Sequence, residues 1–201
     1  MNNTFKVSIV GKTTVGKSTI VRRLQYDAFY DKIECTVGVS FAKIIYEGNT
    51  YELWDTAGQE RYNSLLPMYF RNTKIILFVF DVTDPKTFDN IYYYHKTLET
   101  CNNTDNYKII ILGNKIDSIK EDELEIIKKD IKNKIDNCSF VGFIYDTIYI
   151  SAKSGVNMGV VKDSFKNCSQ LININKKDNA FKIEQINNYK FEQKQDSKCY
   201  C

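Results

Sequence analysis

The chain has 201 residues, of which 43% are hydrophobic and 26% charged, a balance typical of one globular domain with room for a tail. The formal net charge of +3 is too small for the concentrated basic face of a nucleic-acid-binding protein, so we expect no nucleic acid among its partners. Its start, MNNTFK, has no apolar segment and no glycine at position 2, which argues against a secretory signal and against N-myristoylation.

Hydrophobic periodicity predicts strands and helices that alternate along the chain. The predicted elements are a strand at 4–11, a helix at 18–25, two strands within 40–55 around a Gly48–Asn49 turn, a buried strand at 74–82, a helix at 84–101 that opens with Asp84 and Pro85, a buried strand at 107–115, a helix at 121–135, a strand at 147–153 and a last helix within 156–174. This order predicts an α/β fold, a doubly wound and mostly parallel six-stranded sheet with helices on both faces. Such sheets bind ligands at the carboxyl ends of their strands.

Residues 11–19 read GKTTVGKST and contain the pattern G-x-x-x-x-G-K-S between a predicted strand and a predicted helix. Glycines let successive backbone N–H groups converge on phosphate oxygens, and the helix adds the positive end of its dipole. In this pattern Lys17 reaches the β- and γ-phosphates and Ser18 offers a hydroxyl to Mg²⁺. The pattern leaves kinases, ATPases and GTPases open. The predicted phosphate site consists of Thr13, Thr14, Val15, Gly16, Lys17, Ser18 and Thr19.

A second motif, WDTAGQER at residues 54–61, follows a predicted strand. Asp55 stands where P-loop proteins carry the acid that helps to hold Mg²⁺. Gly58 can donate its backbone N–H to the γ-phosphate, and the neutral side chain of Gln59 can orient an attacking water. We therefore predict Gln59 as the catalytic residue and Asp55 as a metal-site residue that acts through water.

Two further segments at predicted strand ends indicate which base is bound. GNKID, residues 113–117, supplies Asn114, Lys115 and Asp117, and a carboxylate can accept hydrogen bonds from both N1–H and the 2-amino group of guanine. Adenine lacks that pair of donors, so a site built around Asp117 rejects ATP and an ATP-using kinase is disfavoured. The last segment, SAKSG, is predicted to support the base with Ser151, Ala152 and Lys153.

Together these motifs resemble those of the Ras superfamily of small GTPases over residues 4–174, and most closely those of its Rab branch. The Rab switch I segment is similar to residues 36–41 (TVGVSF), and the Rab switch II segment is similar to residues 54–72 (WDTAGQERYNSLLPMYFRN). The residue pattern of the second segment resembles that of the endosomal subgroup. The resemblance implies a P-loop NTPase small G domain over residues 1–174, which binds GTP or GDP with Mg²⁺ and slowly hydrolyses GTP as a switch in vesicle traffic.

The same resemblance implies roles for residues outside the phosphate loop. Thr36 would contact Mg²⁺ and the γ-phosphate, and Phe29 would pack on the guanine. The partners implied are an exchange factor, a GTPase-activating protein, a prenylation escort, a GDP-dissociation inhibitor and effectors that bind the GTP state. An aromatic surface read by those effectors would consist of Phe41, Trp54 and Tyr69.

Six cysteines are spaced irregularly and form no CxxC pair, which argues against disulfides and against a zinc site. We expect Cys35, Cys101, Cys138 and Cys168 to be reduced thiols. Residues 175–201 are polar and aperiodic, so we predict a flexible tail. Its Cys199-Tyr200-Cys201 ending resembles the Cys-x-Cys prenylation signal of Rabs, which implies two geranylgeranyl chains and the cytoplasmic face of a vesicle or endosomal membrane, in exchange with the cytosol.

Some features depart from the family pattern. Thr13 and Thr14 replace the glycines of Ras proteins, the turn near Gly48 is shorter than is usual in Rabs, and the stretch from 117 to 151 is longer. His95 lies on a predicted surface helix, and we expect no catalytic role for it. Thr13 leaves open an alternative function, a guanine-nucleotide-binding scaffold with little or no intrinsic hydrolysis, or a switch outside vesicle traffic.

Overall fold

Six strands form one sheet in this protein, whose computed structural model describes residues 3–30, 35–101, 107–140 and 143–174, without the side chains of residues 60–62. The strands are β1 (Thr4–Val10), β2 (Val39–Tyr46), β3 (Asn49–Thr56), β4 (Ile75–Asp81), β5 (Lys108–Asn114) and β6 (Ile144–Tyr149). Their order is β2-β3-β1-β4-β5-β6, and every neighbouring pair is parallel except β2 with β3. The predicted fold class is therefore confirmed.

Within the described part of the chain, five α-helices cover the two faces of the sheet. They are α1 (Lys17–Tyr26), α2 (Leu66–Phe70), α3 (Ile91–Cys101), α4 (Glu121–Asp136) and α5 (158–174). Residues of α1 and α5, such as Ile20 and Phe165, pack on one face, and residues of α2, α3 and α4, such as Phe70 and Leu98, pack on the other. Within the described residues, no helix is both long enough and apolar enough to cross a bilayer.

The central strand β4 explains the most apolar run of the sequence, because every one of its residues is buried. Ile75, Leu77 and Val79 contribute to one core and Ile76 and Phe78 to the other. A strand covered on both faces has no solvent side and therefore no polar alternation.

The carboxyl ends of four parallel strands bring the predicted motifs to one edge of the sheet. Residues 11–16 follow β1, residues 57–59 follow β3, residues 115–117 follow β5 and residues 150–153 follow β6. This placement is the one expected of a ligand site in a parallel α/β sheet.

The turn between β2 and β3 differs from the prediction by one residue. Tyr46 pairs directly with Asn49, so the two turn residues are Glu47 and Gly48, not Gly48 and Asn49. Both adopt left-handed backbone angles, with φ of 48° and 73°. A positive φ at both central residues is what a two-residue type I′ hairpin turn requires. An ion pair of 3.4 Å between Glu47 and Lys166 joins this turn to α5.

The starts of two other elements differ from those predicted. The helix predicted from residue 84 begins with a 3₁₀ turn, Pro85–Asn90, and becomes α-helical only at Ile91. The side chain of Asp84 makes no capping hydrogen bond. Strand β6 begins at Ile144, earlier than predicted, and the long segment before it contains the 16-residue helix α4.

His95 is buried, which corrects its prediction as a surface residue. Its ring is 5% exposed and stacks on Phe140 at a centroid distance of 4.1 Å, and its Nε2 lies 3.3 Å from the Tyr107 hydroxyl. The chain after α4 folds over α3 at this point, a contact that the pattern of α3 alone does not reveal. Burial lowers the pKa of His95.

Replacing Gly48 by alanine is expected to destabilise the fold by about 1 kcal/mol, because a left-handed φ is unfavourable for alanine. The cost is conformational and not steric, since no atom lies within 4 Å of the added Cβ. The matched control is Gly159→Ala, also in open space but in the first turn of α5, where the free energy of unfolding should stay equal or rise. Urea denaturation of both variants tests the pair, and equal effects would contradict it.

Candidate functional site

The loop from β1 to α1 forms the floor of a cavity of about 200 Å³. Gly16 stands at the start of α1 with φ of 97°, and a Cβ there would collide with the amide of Asn114. Val15 contributes only its backbone, because its side chain is fully buried in the core. The cavity is lined by Thr13, Thr14, Gly16, Lys17, Ser18, Thr19, Cys35, Thr36, Thr56, Gly58 and Gln59.

Lys17 is the buried cation of this cavity. Its ammonium donates hydrogen bonds to the carbonyls of Gly11 at 2.9 Å and Lys12 at 2.7 Å, so the loop itself orients the side chain. Burial lowers the pKa of Lys17 to about 8, partly offset by the negative charge of Asp55. A phosphate group placed here would supply the negative charge that favours the ammonium form.

Three oxygen-bearing side chains meet beside Lys17 and are joined to one another by hydrogen bonds. Ser18 donates to Asp55 Oδ2 at 2.5 Å, and the Thr36 hydroxyl lies 2.9 Å from Ser18 and 3.3 Å from the same carboxylate oxygen. Asp55 is 3% exposed, and its Oδ1 is buried without a hydrogen-bond partner. Burial raises the pKa of Asp55, and the hydrogen bond from Ser18 opposes that shift. Hard oxygen donors around one orphaned carboxylate atom fit Mg²⁺.

Gly58 and Gln59 follow β3 and line the same cavity. A Cβ on Gly58 would collide with the Lys17 ammonium and with the backbone of Lys12, so only glycine fits this close approach. Gln59 is half-buried and lines the cavity. Their predicted contacts with a γ-phosphate and an attacking water stay predictions.

The predicted base site is a continuous hydrogen-bonded network. Asn114 donates to the Val15 carbonyl at 2.9 Å and accepts from the Ala152 N–H at 3.0 Å. Ser151 donates to Asp117 Oδ1 at 2.6 Å. Three loops that follow three different strands are thus joined by side chains.

Lys115 and Arg23 complete the surroundings of this network. Lys115 adopts a left-handed φ of 74° and its ammonium lies 2.5 Å from Asp81. Arg23 of α1 donates to the carbonyls of Ala152 at 3.0 Å and Lys153 at 2.5 Å. No motif in the sequence points to Arg23, because these two acceptors are backbone atoms about 130 residues away.

Phe29 and the predicted aromatic surface are only partly brought to the site. Phe29 is half-buried just beyond the end of α1 and does not line the phosphate cavity. Phe41 is 51% exposed and packs edge-to-face on Trp54, with ring centroids 5.6 Å apart. Tyr69 is 4% exposed, so its predicted place in an exposed surface is wrong. Its position on the short helix α2 turns the ring into the protein.

The fold and the site together define a P-loop nucleotide-binding protein with the architecture of a small G domain. The Ras family model matches residues 6–174, and the chain belongs to this family. A probable Rab-related GTPase of Acanthamoeba polyphaga mimivirus is 37% identical over 158 residues, which are 73% of this chain and 72% of the relative. Ras-related protein Rab-22A is 35% identical in Homo sapiens and 34% in Canis lupus familiaris, with 77% of both chains covered.

Replacing Asn114 by alanine is expected to lower the free energy of unfolding by about 3 kcal/mol, because the Val15 carbonyl and the Ala152 N–H would both lose their buried partner. Asn137→Ala serves as control, since that side chain makes one exposed hydrogen bond to Asn133 and its loss should cost below about 1 kcal/mol. Denaturant titrations compare the two, and a similar small loss for both would contradict a bridging role of Asn114.

Proposed function

We propose that this protein is a membrane-anchored small GTPase, which binds GTP, hydrolyses it slowly to GDP and acts as a switch in vesicle-mediated, endosomal traffic. The observation that carries the proposal is the meeting of a buried lysine, a Ser-Thr-Asp oxygen cluster and a guanine-type network at one sheet edge. Membership of the Ras family and relatives named as Rab GTPases support hydrolysis of GTP.

Binding of the triphosphate rests on the loop and on Lys17. Backbone N–H groups of residues 13–18 and the buried ammonium of Lys17 would donate hydrogen bonds to the phosphate oxygens. The hydroxyls of Ser18 and Thr36 and the carboxylate of Asp55 would hold Mg²⁺, Asp55 through water. The ion, when bound, neutralises charge that develops on the phosphate oxygens.

Hydrolysis requires a water held in line with the γ-phosphate. Gln59 orients that water through its amide, which can both donate and accept a hydrogen bond. Among the described side chains that line the cavity there is no arginine, which supports slow intrinsic turnover and an activating protein that supplies positive charge. The side chain of Arg61 lies outside the described residues.

The switch follows from what the γ-phosphate touches. Thr36 and Gly58 come from two different loops, and both lose a partner when that phosphate leaves. Effectors that read Phe41 and Trp54 between these loops therefore bind only the GTP state. An exchange factor restores that state, and the activating protein ends it.

Specificity for guanine rests on Asp117. Its carboxylate is held by Ser151 at 2.6 Å and presents the remaining acceptor sites to the N1–H and 2-amino donors of the base. Asp117 is exposed in this structure, so a nucleotide that lacks either donor forms one hydrogen bond fewer with its carboxylate and binds less tightly.

Membrane anchoring rests on Cys199 and Cys201, which lie outside the described residues together with the whole tail from residue 175. One lipid chain binds a membrane only marginally, whereas two anchor it stably. The prenylation escort delivers the lipidated protein and the GDP-dissociation inhibitor extracts it from the endosomal membrane to the cytosol.

A second candidate is a guanine-nucleotide-binding scaffold with little or no hydrolysis. Thr13 favours it, because its side chain lines the same cavity as Gln59 and can crowd the water that Gln59 must orient. The two candidates differ in turnover and not in nucleotide binding.

Single-turnover hydrolysis of GTP separates these candidates. We expect Gln59→Leu to lower the rate at least about 10-fold, because leucine cannot orient water, and Thr13→Gly to raise it. Both variants should retain guanine nucleotide through purification, which serves as the binding control. A wild-type rate no higher than that of Gln59→Leu, with GTP bound, would favour the scaffold.

Lipidation is tested by incubating the full chain with a geranylgeranyl donor, an escort protein and the transferase, followed by intact-mass measurement. Two additions are expected for the wild type, one for Cys201→Ser and none for the double variant with Cys199→Ser. The singly modified chain should dissociate readily from lipid vesicles. Cys101→Ser, a half-buried thiol at the end of α3, is the matched control and should take up two lipids.

A further inference from the structure

Arg23 lies between the two segments that are predicted to enclose the guanine base. It belongs to the second turn of α1, and its side chain is 11% exposed. One guanidinium makes three hydrogen bonds to backbone carbonyls: Nε to Ala152 at 3.0 Å, Nη2 to Lys153 at 2.5 Å and Nη1 to Asp27 at 2.8 Å. The first two acceptors belong to the loop after β6, and the third belongs to the residue that ends α1.

The loop after β6 is held from two opposite sides. On the sheet side, Asn114 accepts from the Ala152 N–H and Ser151 donates to Asp117. On the side of α1, Arg23 donates to the carbonyls of Ala152 and Lys153. Because Ser151 fixes the carboxylate of Asp117, any shift of this loop changes the position of the group that reads the base.

The third hydrogen bond of Arg23 reaches the other wall of the predicted base site, which is the segment that carries Phe29. Asp27 ends α1 in a left-handed conformation with φ of 50°, and its carbonyl is held by Arg23 at 2.8 Å. Phe29, predicted to pack on the guanine, lies two residues further along the chain. Arg23 therefore ties the loop after β6 and the segment that carries Phe29 to the helix whose first turn belongs to the phosphate site.

We propose that Arg23 is a positioning residue that sets the lifetime and the base selectivity of bound guanine nucleotide, by fixing the base loop after β6 and the end of α1 relative to each other. This inference rests on the proposed function, since it concerns the same nucleotide. Arg23 touches no phosphate-site residue in these contacts, so its effect belongs to the base end of the site.

Arginine is suited to this role for a geometric reason. Its planar fork presents five N–H donors at fixed angles, so a single side chain bonds three carbonyls that point at it from different segments. Lysine at the same position could reach one or two of them and would orient neither wall fully. Hydrogen bonds from a charged donor are about twice as strong as neutral ones, so their loss should be measurable in nucleotide release.

The test compares release of fluorescent GDP from wild-type protein, Arg23→Met and Arg23→Lys. Methionine keeps the packing of the stem and removes the donors, and we expect release about 10- to 100-fold faster, with the lysine variant intermediate. The control is Lys166→Met on α5, whose ammonium makes a 3.4 Å ion pair with Glu47 at the β2–β3 turn and not with the base site. Release from that variant should stay within about two-fold of wild type.

Two ratios separate positioning of the base from general loosening. IDP lacks the 2-amino group of guanine, so the ratio of IDP to GDP release rates reports on Asp117, and it should fall towards unity in Arg23→Met. The acceleration of release by a chelator reports on the Mg²⁺ and phosphate end, and it should stay unchanged. If both ratios change together, or if release from both Arg23→Met and Arg23→Lys stays within two-fold of wild type, the inference is wrong.

Measurements on the wild-type protein distinguish failure of the proposed function from failure of the role of Arg23. If it binds no guanine nucleotide, the proposed function and the role of Arg23 both fail. If it binds and retains GDP while neither Arg23 variant changes its release, only the role of Arg23 fails. Thermal unfolding of the variants gives the folded fraction, and Arg23→Lys provides the measurement if the methionine variant does not fold.

Discussion

The amide of Asn114 is the interaction on which the nucleotide site depends. It is 3% exposed and joins the phosphate loop, through the Val15 carbonyl, to the loop after β6, through the Ala152 N–H. A side-chain amide can do this because it both donates and accepts. Parallel strands bring their carboxyl ends to one edge, but only such cross-links fix loops from different strands relative to one another. The distance between phosphate end and base end is set here.

Those two ends differ in how their polar groups are satisfied. At the phosphate end, burial disfavours the charged forms of both Lys17 and Asp55. It lowers the pKa of Lys17 and raises the pKa of Asp55. At the base end Asp117, Ser151 and Asn114 are already hydrogen-bonded to protein atoms. The base end is thus preorganised, whereas the phosphate end gains most from a bound anion and cation.

Local chemistry made much of the site predictable from sequence. The glycine spacing around Lys17, the acid at the end of β3 and the Asn-Lys-Asp run after β5 each need particular residue types at fixed positions, and the structure brings them together as expected. Contacts between distant segments were not predictable. Contacts with segments distant in sequence bury His95 and Tyr69 and position Arg23. The two distant acceptors of Arg23 are backbone carbonyls, which a residue of any type could supply.

Under the proposed function, the contrast between the two ends explains how one phosphate can control the surface without releasing the nucleotide. Thr36 and Gly58 line the phosphate cavity, so the proposal makes their order depend on the bound groups, and the exposed Phe41 packs on the half-buried Trp54 between their loops. The base end keeps its hydrogen bonds with or without a γ-phosphate, because none of them involves that group. A switch built in this way changes conformation at one end while the other holds the ligand. Release of the nucleotide then requires a separate event at the base end, which is where Arg23 joins the walls of the site.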